Sequence, residues 1–526
     1  TMDFATFSNS LDQVSESNSG GPNLFVKTGF EYFIDPSQSL AISTTISNGN
    51  RTSDGTTSTI DSGPGDRKFI RTTSGNNDRN GYDVNLNYDK KFKNSKQKLT
   101  TYARFSDGIN DGLDEYYNTD NGGVDYVNLD RAANGQDGTS SGYDFKLDYV
   151  HPFNEGSKLE VGFASKSTDR GDSQIAEIFN EANNSFVSDR EFSNEFEYNE
   201  TVHAAYLQYG GSIGFFGINA GGRYETVDMF SELKTTNEKF ENPYSSFYPS
   251  LSVTFGAPQL LQIQTSYSKR VNRPRSRMIN PFSSRQDNKN IRVGNPFLKP
   301  EYTDSYEINF SRFSRGLSLS LGGYYRHTTD KMQRHKEMRA DGVSVATYAN
   351  IKDQKTQGID YSVVGSLGKK LRLMFSGSVF WDEINTDLYG SDYDNTAQGQ
   401  RLRFTTMWNI NPTTEFSFFM FYMPARDIAI GRMDAMSFSS MSVKKKFMDE
   451  RFNLTLNVGD PFNLSGFSFY TSGDNWEQES SRNWSSRTIR LTLEYRFGKM
   501  EDKSRYSRQR GRGQGMDMDE GAGEIF

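Results

Sequence analysis

The sequence has no cysteine, only four histidines, and no apolar run approaching the roughly 18 residues of a membrane helix. Without cysteine there is no disulfide, no thiolate nucleophile and no Cys zinc site. His151, His203, His327 and His335 form neither a His-x-x-His nor a His-Glu-x-x-His pair, so no metal-ligand motif is present. A Walker A motif is absent, as is a G-x-S-x-G elbow in a strand–helix setting, so the sequence shows no catalytic constellation and no cofactor site. An excess of positive charge is also missing. With 60 basic and 67 acidic residues the net charge is −7, and nothing offers the basic face that nucleic acid requires. Hydrophobic residues make up only 34% of the chain and the mean hydropathy is −0.75, values that by themselves suit a large soluble β-protein. Thr1-Met2-Asp3-Phe4 is not a signal peptide, so an exported protein starting here is mature or truncated.

What is present is strict alternation. Thr488–Phe497 reads T-I-R-L-T-L-E-Y-R-F, with Ile489, Leu491, Leu493, Tyr495 and Phe497 separated by polar residues. A period of two puts the two sets on opposite faces of a strand. The pattern recurs through Asn23–Ile34, Gly81–Phe92, Lys98–Ser106, Gly142–Tyr149, Lys158–Ser167, Val202–Gly210 and Gly217–Val227. It continues through Phe247–Phe255, Leu260–Lys269, Tyr302–Phe313, Leu317–His327, Thr356–Ser366, Leu371–Asp382, Gln400–Asn411, Glu415–Met423, Met436–Phe447 and Arg451–Phe462, with Ser39–Ser47 a weaker case. That is roughly nineteen strands, about 19–20 in this chain.

Connections alternate between short, such as Asp35-Pro36-Ser37-Gln38 and Ser314-Arg315-Gly316, and long, such as Arg51–Asp66, Asp107–Val124, Asp169–Asn199 and Arg270–Glu301. Long alternating strands with this rhythm predict an all-β fold, an antiparallel transmembrane β-barrel whose polar face lines a wet interior. Trp381, Trp408 and the crowded Phe416–Tyr422 segment suit either lipid–water boundaries or ordinary strand propensity. If the last strand runs toward the periplasm, so does Asn23–Ile34, and only Thr1–Ser10 precedes it. Roughly two or three strands are then expected upstream, completing a barrel of about 22 strands, the size of plugged transporters.

The segment Tyr267–Arg312 carries the sharpest motif: Arg273-Pro274, Asn280-Pro281-Phe282, Asp287, Gly294-Asn295-Pro296, Leu298, Pro300-Glu301 and Tyr306-Glu307. It resembles the barrel of TonB-dependent outer-membrane receptors, specifically the large Bacteroidetes group. Gln357–Tyr361 and Leu493–Gly498 are similar to the same family. The resemblance implies a receptor in the bacterial outer membrane that takes up a large or scarce ligand, with a plug and a TonB-contacting segment before the barrel. Neither is visible here, so TonB contact would come through a missing N-terminal region. Residues 1–498 are expected to be barrel. The alternative is a non-transporting barrel that serves as scaffold for a surface or periplasmic complex, with a surface lipoprotein or other outer-membrane subunits as partners.

Ligand-contact candidates fall in two places. Within the signature, Arg273, Asn280, Phe282, Asn295 and Glu301 either fold a loop and its strand re-entry or touch ligand; Pro274 and Pro281 would end the strand. The acidic, glycine-rich segment Asp107–Asp125 is expected to be a loop. There Asp111, Asp114, Glu115 and Asp120 could hold Ca²⁺ and Tyr116 and Tyr117 could stack on a sugar or peptide, although EF-hand spacing is not met. Ser173–Ala182 is expected to be a short loop helix. The tail after Gly498 is basic then acidic and rich in glycine, a disordered composition. Arg508, Arg510 and Arg512 are candidate contacts for an anionic partner, and Phe526 for capture by an assembly factor.

Overall fold

The computed structural model describes residues 10–496, apart from 63–66, 94–95, 121–130, 181, 191, 258–259, 283, 288–289, 340–342, 387–395, 429–430, 474–475 and 484–486. The tail, with Arg508, Arg510, Arg512 and Phe526, lies outside the described residues, as do Phe497 and Gly498. Every alternating segment of the sequence overlaps a strand, and among the described residues the only helix is Ser276–Ile279. No described helix is long and apolar enough to cross a membrane.

The chain divides into two compact units: Thr1–Ser252 with Ser268–Pro300 and His335–Asn350, and Val253–Tyr267 with Glu301–Arg334 and Ile351–Phe526. The first is a meander of antiparallel strands. Gln38–Ser62 pairs with Arg67–Lys91, which pairs with Lys98–Asp120, and the ladder continues through Arg131–Pro152, Ser157–Asn180, Asn194–Ile213 and Phe216–Leu233. Ser10–Gly20 and Asn23–Asp35 lie end to end against the single strand Gln38–Ser62, interrupted at Gly21-Pro22, where proline has no N–H to give the ladder. Among the described residues strand structure is thus already present at Ser10, well before Asn23. In the second unit Glu301–Ser314 pairs with Leu317–Met338. Ser344–Leu367, Leu371–Asn385, Thr396–Asn411, Thr414–Met423, Met436–Phe447, Phe452–Gly459 and Thr488–Tyr495 follow as consecutive antiparallel neighbours. A separate small sheet pairs Arg426–Ile428, Gly431–Met433, Gly466–Gly473 and Trp476–Asn483.

The register sets apolar residues opposite one another across neighbouring strands. Val363 faces Phe375, which faces Phe404; Leu456 faces Leu491 and Leu454 faces Leu493. These side chains are uncovered: Phe375, Val363, Leu456, Leu491 and Leu493 are all exposed. A protein surrounded by water does not leave row upon row of apolar side chains open, whereas one surrounded by hydrocarbon must. Trp408 sits opposite Leu371, and Trp381 lies on the same face of that strand about ten residues further on. At about 3.3 Å per residue and a tilt of about 45°, this spans about 23 Å of depth, close to the ~25 Å apolar band of outer-membrane barrels. The two exposed tryptophans bracket that band.

The opposite face is polar. Asp83 and Arg104 form an ion pair, Lys98 lies 2.7 Å from Asp89, and the Tyr102 hydroxyl donates to Asn85 at 3.0 Å. At the ends joined by short turns, Asp35 accepts from the Ser37 N–H and hydroxyl at 2.7 and 2.6 Å and from Gln38 at 2.6 Å, and Gly316 turns at φ 83°, a conformation cheap only for glycine.

The largest departure from the sequence reading is strand length. Gln38–Ser62 and Arg67–Lys91 each run 25 residues, and most of the segments expected to be loops at 51–66, 107–124 and 169–199 are continuations of strands. The acidic segment belongs to Lys98–Asp120, and the expected helix at Ser173–Ala182 is instead the end of Ser157–Asn180. Beyond the apolar band both faces meet water, so alternation disappears while the backbone ladder persists. Cross-strand polar pairs support it: Asn50 donates to Asn76 at 2.8 Å and Asp78 at 2.6 Å, and Arg79 to Asn110 at 2.9 Å.

Candidate functional site

The signature folds as a knot of backbone and buried polar contacts. Its strand ends at Asn272, just before Arg273-Pro274, and the chain turns through Ser276–Ile279. Gly294 N–H donates to the Asn280 carbonyl at 2.9 Å and Asn295 N–H to the Met278 carbonyl at 2.7 Å. This back-to-back approach requires glycine for want of room. A Cβ on Gly294 would run into the Asn280 carbonyl oxygen and stand 2.8 Å from both Asn280 N and the Met278 oxygen. Asn280 and Asn295 act as turn-formers, their side-chain oxygens accepting from the N–H groups of Phe282 at 3.1 Å and Phe297 at 3.0 Å. The Asn295 amide also reaches the Tyr348 carbonyl at 3.0 Å. Val293 N–H donates to the Ala346 carbonyl at 3.0 Å. Ile279 and Leu298 are fully buried beneath. Phe282 is half-buried.

Arg273 points away from these turns. Its guanidinium pairs with Glu225 and donates to the Tyr244 hydroxyl at 2.8 Å. Glu225, only 5% exposed, also takes Arg223 at 2.6 Å. Burial works against the Arg273 charge, but Tyr244, Glu225 and Glu200 outweigh it and its pKa is raised. Nearby, burial pushes the Tyr198 phenol well up, with the Glu200 charge adding to the effect. Glu301, in the other unit, is buried and accepts from the Met332 N–H at 2.9 Å while Lys331 lies 3.3 Å away. Four of the five signature candidates, Arg273, Asn280, Asn295 and Glu301, are thus engaged in holding the fold.

The acidic segment is a strand, which separates its candidates by face. Asp111 and Tyr117 share one side, Asp114 and Tyr116 the other, and the Asp120 side chain lies outside the described residues. Tyr116 is occupied, with the Arg71 guanidinium 4.3 Å above its ring and Arg71 held by Asn118 at 2.9 Å. Among the described residues no three His, Asp or Glu side chains converge at metal-ligand spacing.

Sequence reading missed an arginine–aromatic wall on the polar face of the second unit. Tyr324 lies over Gly358, where a Cβ would collide with its ring, and Arg326 stacks on it at 4.4 Å. Phe380 lies across Gly399 in the same way, with Arg401 and Arg426 against its ring. The signal was faint: glycines at 358 and 399, each opposite an aromatic residue's strand, in otherwise regular alternation.

Residues 90–495 match the model of the outer membrane protein beta-barrel family. Comparison with curated proteins finds no match. Among solved structures, the fold is similar to the ferric citrate transporter FecA in its unliganded form, at 11% identity and TM-score 0.56, covering 93% of this chain and 78% of that one. It is similar to the copper transporter OprC at 9% identity and TM-score 0.57, over 93% and 79%. The siderophore receptor PiuA from Acinetobacter baumannii matches at 11% identity and TM-score 0.54, over 92% and 81%. At these identities the likeness is one of fold.

Proposed function

Because this chain belongs to the outer membrane protein beta-barrel family, and so resides in the bacterial outer membrane, we propose that it is the barrel of a TonB-dependent receptor that takes up a large or scarce ligand. The observation that carries the reading is the pairing of an uncovered apolar face, spanning about one membrane thickness, with a charged, hydrogen-bonded opposite face. Such a wall separates lipid from a wet passage. Its likeness in fold to a ferric citrate transporter, a copper transporter and siderophore receptors supports uptake as the use of that passage. In this reading the long extensions beyond the band capture the ligand, and the signature knot braces them. Energy coupling would need a plug and a TonB-contacting segment, supplied by sequence ahead of Thr1 or by another chain. A surface lipoprotein is a further candidate partner.

The test is uptake in the native bacterium. A deletion strain, a TonB-deficient strain and the parent are compared with radiolabelled ferric citrate, a ferric catecholate, haem and cupric ion as probes. Loss of the same uptake in both mutants supports the receptor. Unchanged uptake of every probe, together with loss of a partner from an outer-membrane complex in the deletion strain, would replace it with the scaffold reading.

A further inference from the structure

Two guanidinium groups lie against one ring in the second unit. Phe380, 5% exposed, is fixed across Gly399. Arg401, from Thr396–Asn411, stands 5.2 Å from its centroid, and Arg426, arriving from the small sheet, stands 5.7 Å from it. A charge–ring contact of this kind holds a guanidinium in place while leaving its N–H groups unspent. Among the described residues neither arginine has an ion pair or a side-chain hydrogen bond, and the Nε of Arg426 is buried without an acceptor. Among the described residues the carboxylate that acts on Arg426 is Asp382, which accepts from the Thr356 hydroxyl at 2.6 Å. Burial works most against the Arg426 cation; Asp382 offsets part of this, and the Arg401 charge adds a smaller opposition. A guanidinium held in a partly dehydrated place beside a second one, with a buried N–H that has no partner, is in a costly position.

We propose that Arg401 and Arg426, set by Phe380 and Gly399, form a site for an oxyanion, a carboxylate or phosphate group carried by a soluble ligand. Each guanidinium presents a planar fork that fits such a group bidentately. The source is a soluble ligand because of the face on which the pair lies. Trp381, the next residue after Phe380, marks a rim of the apolar band on the lipid-facing side, and alternation puts Phe380, Arg401 and Asp382 on the opposite, polar side. An entering ligand would meet the site at the level of that rim. This names a ligand class for the passage proposed above and rests on that reading only for its biological use. Binding itself is independent of uptake.

The experiment is titration calorimetry of the full chain in detergent micelles at low salt, with citrate and pyrophosphate as probes, on folded fractions separated by heat-modifiable gel mobility. At least one probe binds the wild type, R401Q and R426Q each weaken it about 10-fold or more, and the double variant abolishes it. The pair R401K with R426K, which preserves charge and guards against misfolding, gives an intermediate affinity. Binding of neither probe, or equal affinity in wild type and the double variants, overturns the proposal. Displacement of the probes by micelles doped with phosphatidylglycerol would reassign the site to a lipid headgroup and overturn the soluble source. Normal binding with no transported probe leaves this site standing while removing the uptake reading.

Discussion

Phe375→Arg tests whether the apolar face meets lipid. Phe375 is 43% exposed and lies in the row Val363–Phe375–Phe404. It is about four residues from the level of Trp408 and about six from Trp381, or about 9 and 14 Å of depth on a strand tilted by about 45°. That is near the middle of the band. A cationic side chain near the bilayer midplane costs about 2–4 kcal/mol, falling to about 0–1 near the interfaces. The variant should therefore unfold about 30- to 700-fold more readily, read as a shift of the urea or guanidinium midpoint in phospholipid vesicles. Leu371→Arg, at the Trp408 rim, should cost at most about 1 kcal/mol. Ser362→Arg, one residue from Val363 on the polar face, should shift the midpoint by no more than about 0.5 kcal/mol. In a water-exposed sheet the ranking disappears, since an arginine replacing a half-exposed phenylalanine meets solvent. Equal midpoints for the Phe375 and Leu371 variants in vesicles would refute the assignment of this face to lipid.

Two further substitutions probe the signature knot. Glu225→Ala strips a buried carboxylate from Arg273 and Arg223 and should destabilise by about 3–5 kcal/mol, the usual cost of stranding a buried partner charge. New tryptic cleavage at Arg275 or Arg277 would report it, and an unchanged digest would mean the pair is not structural. Gly294→Ala forces a Cβ against the Asn280 and Met278 backbone, which, unlike a flexible side chain, has little room to yield. The loss should exceed the about 1–3 kcal/mol of ordinary overpacking and should appear as faster amide exchange at Gly294 and Asn295, whose N–H groups close the knot; native exchange there would contradict the account.

The strands could be read from the sequence where one face meets hydrocarbon and the other water, because only there does composition alternate. Leu454 and Leu456 against Leu493 and Leu491 announce themselves in this way. The same strands become illegible further out. Asn48, Asn50, Asn76, Asp78 and Arg79 have low strand propensity and no apolar partner, yet they continue the ladder, because strands already paired below need only continue. The acidic segment reads as a loop for that reason, and its composition groups Asp111 with Asp114, although a strand turns them to opposite sides. The signature motif was legible as a motif, and Arg273, Asn280, Asn295 and Glu301 are engaged in contacts within the fold. Their partners, Glu225, Tyr244, Tyr348 and Met332, lie far off in sequence.

The sequence by itself determined the class: no cysteine chemistry, no spanning helix, period-two strands joined by alternating turns, and a motif tied to one family of outer-membrane barrels. These are local properties, set by side-chain type and spacing along the chain. Tertiary structure decided what depends on register: how far the strands extend beyond the band, that Glu225 is the counter-charge of Arg273, and that Phe380 lies across Gly399 with Arg401 and Arg426 against its ring. A one-residue shift in pairing would turn every one of those side chains to the other face, and the register is set by neighbours and turns distant from the residues it brings together.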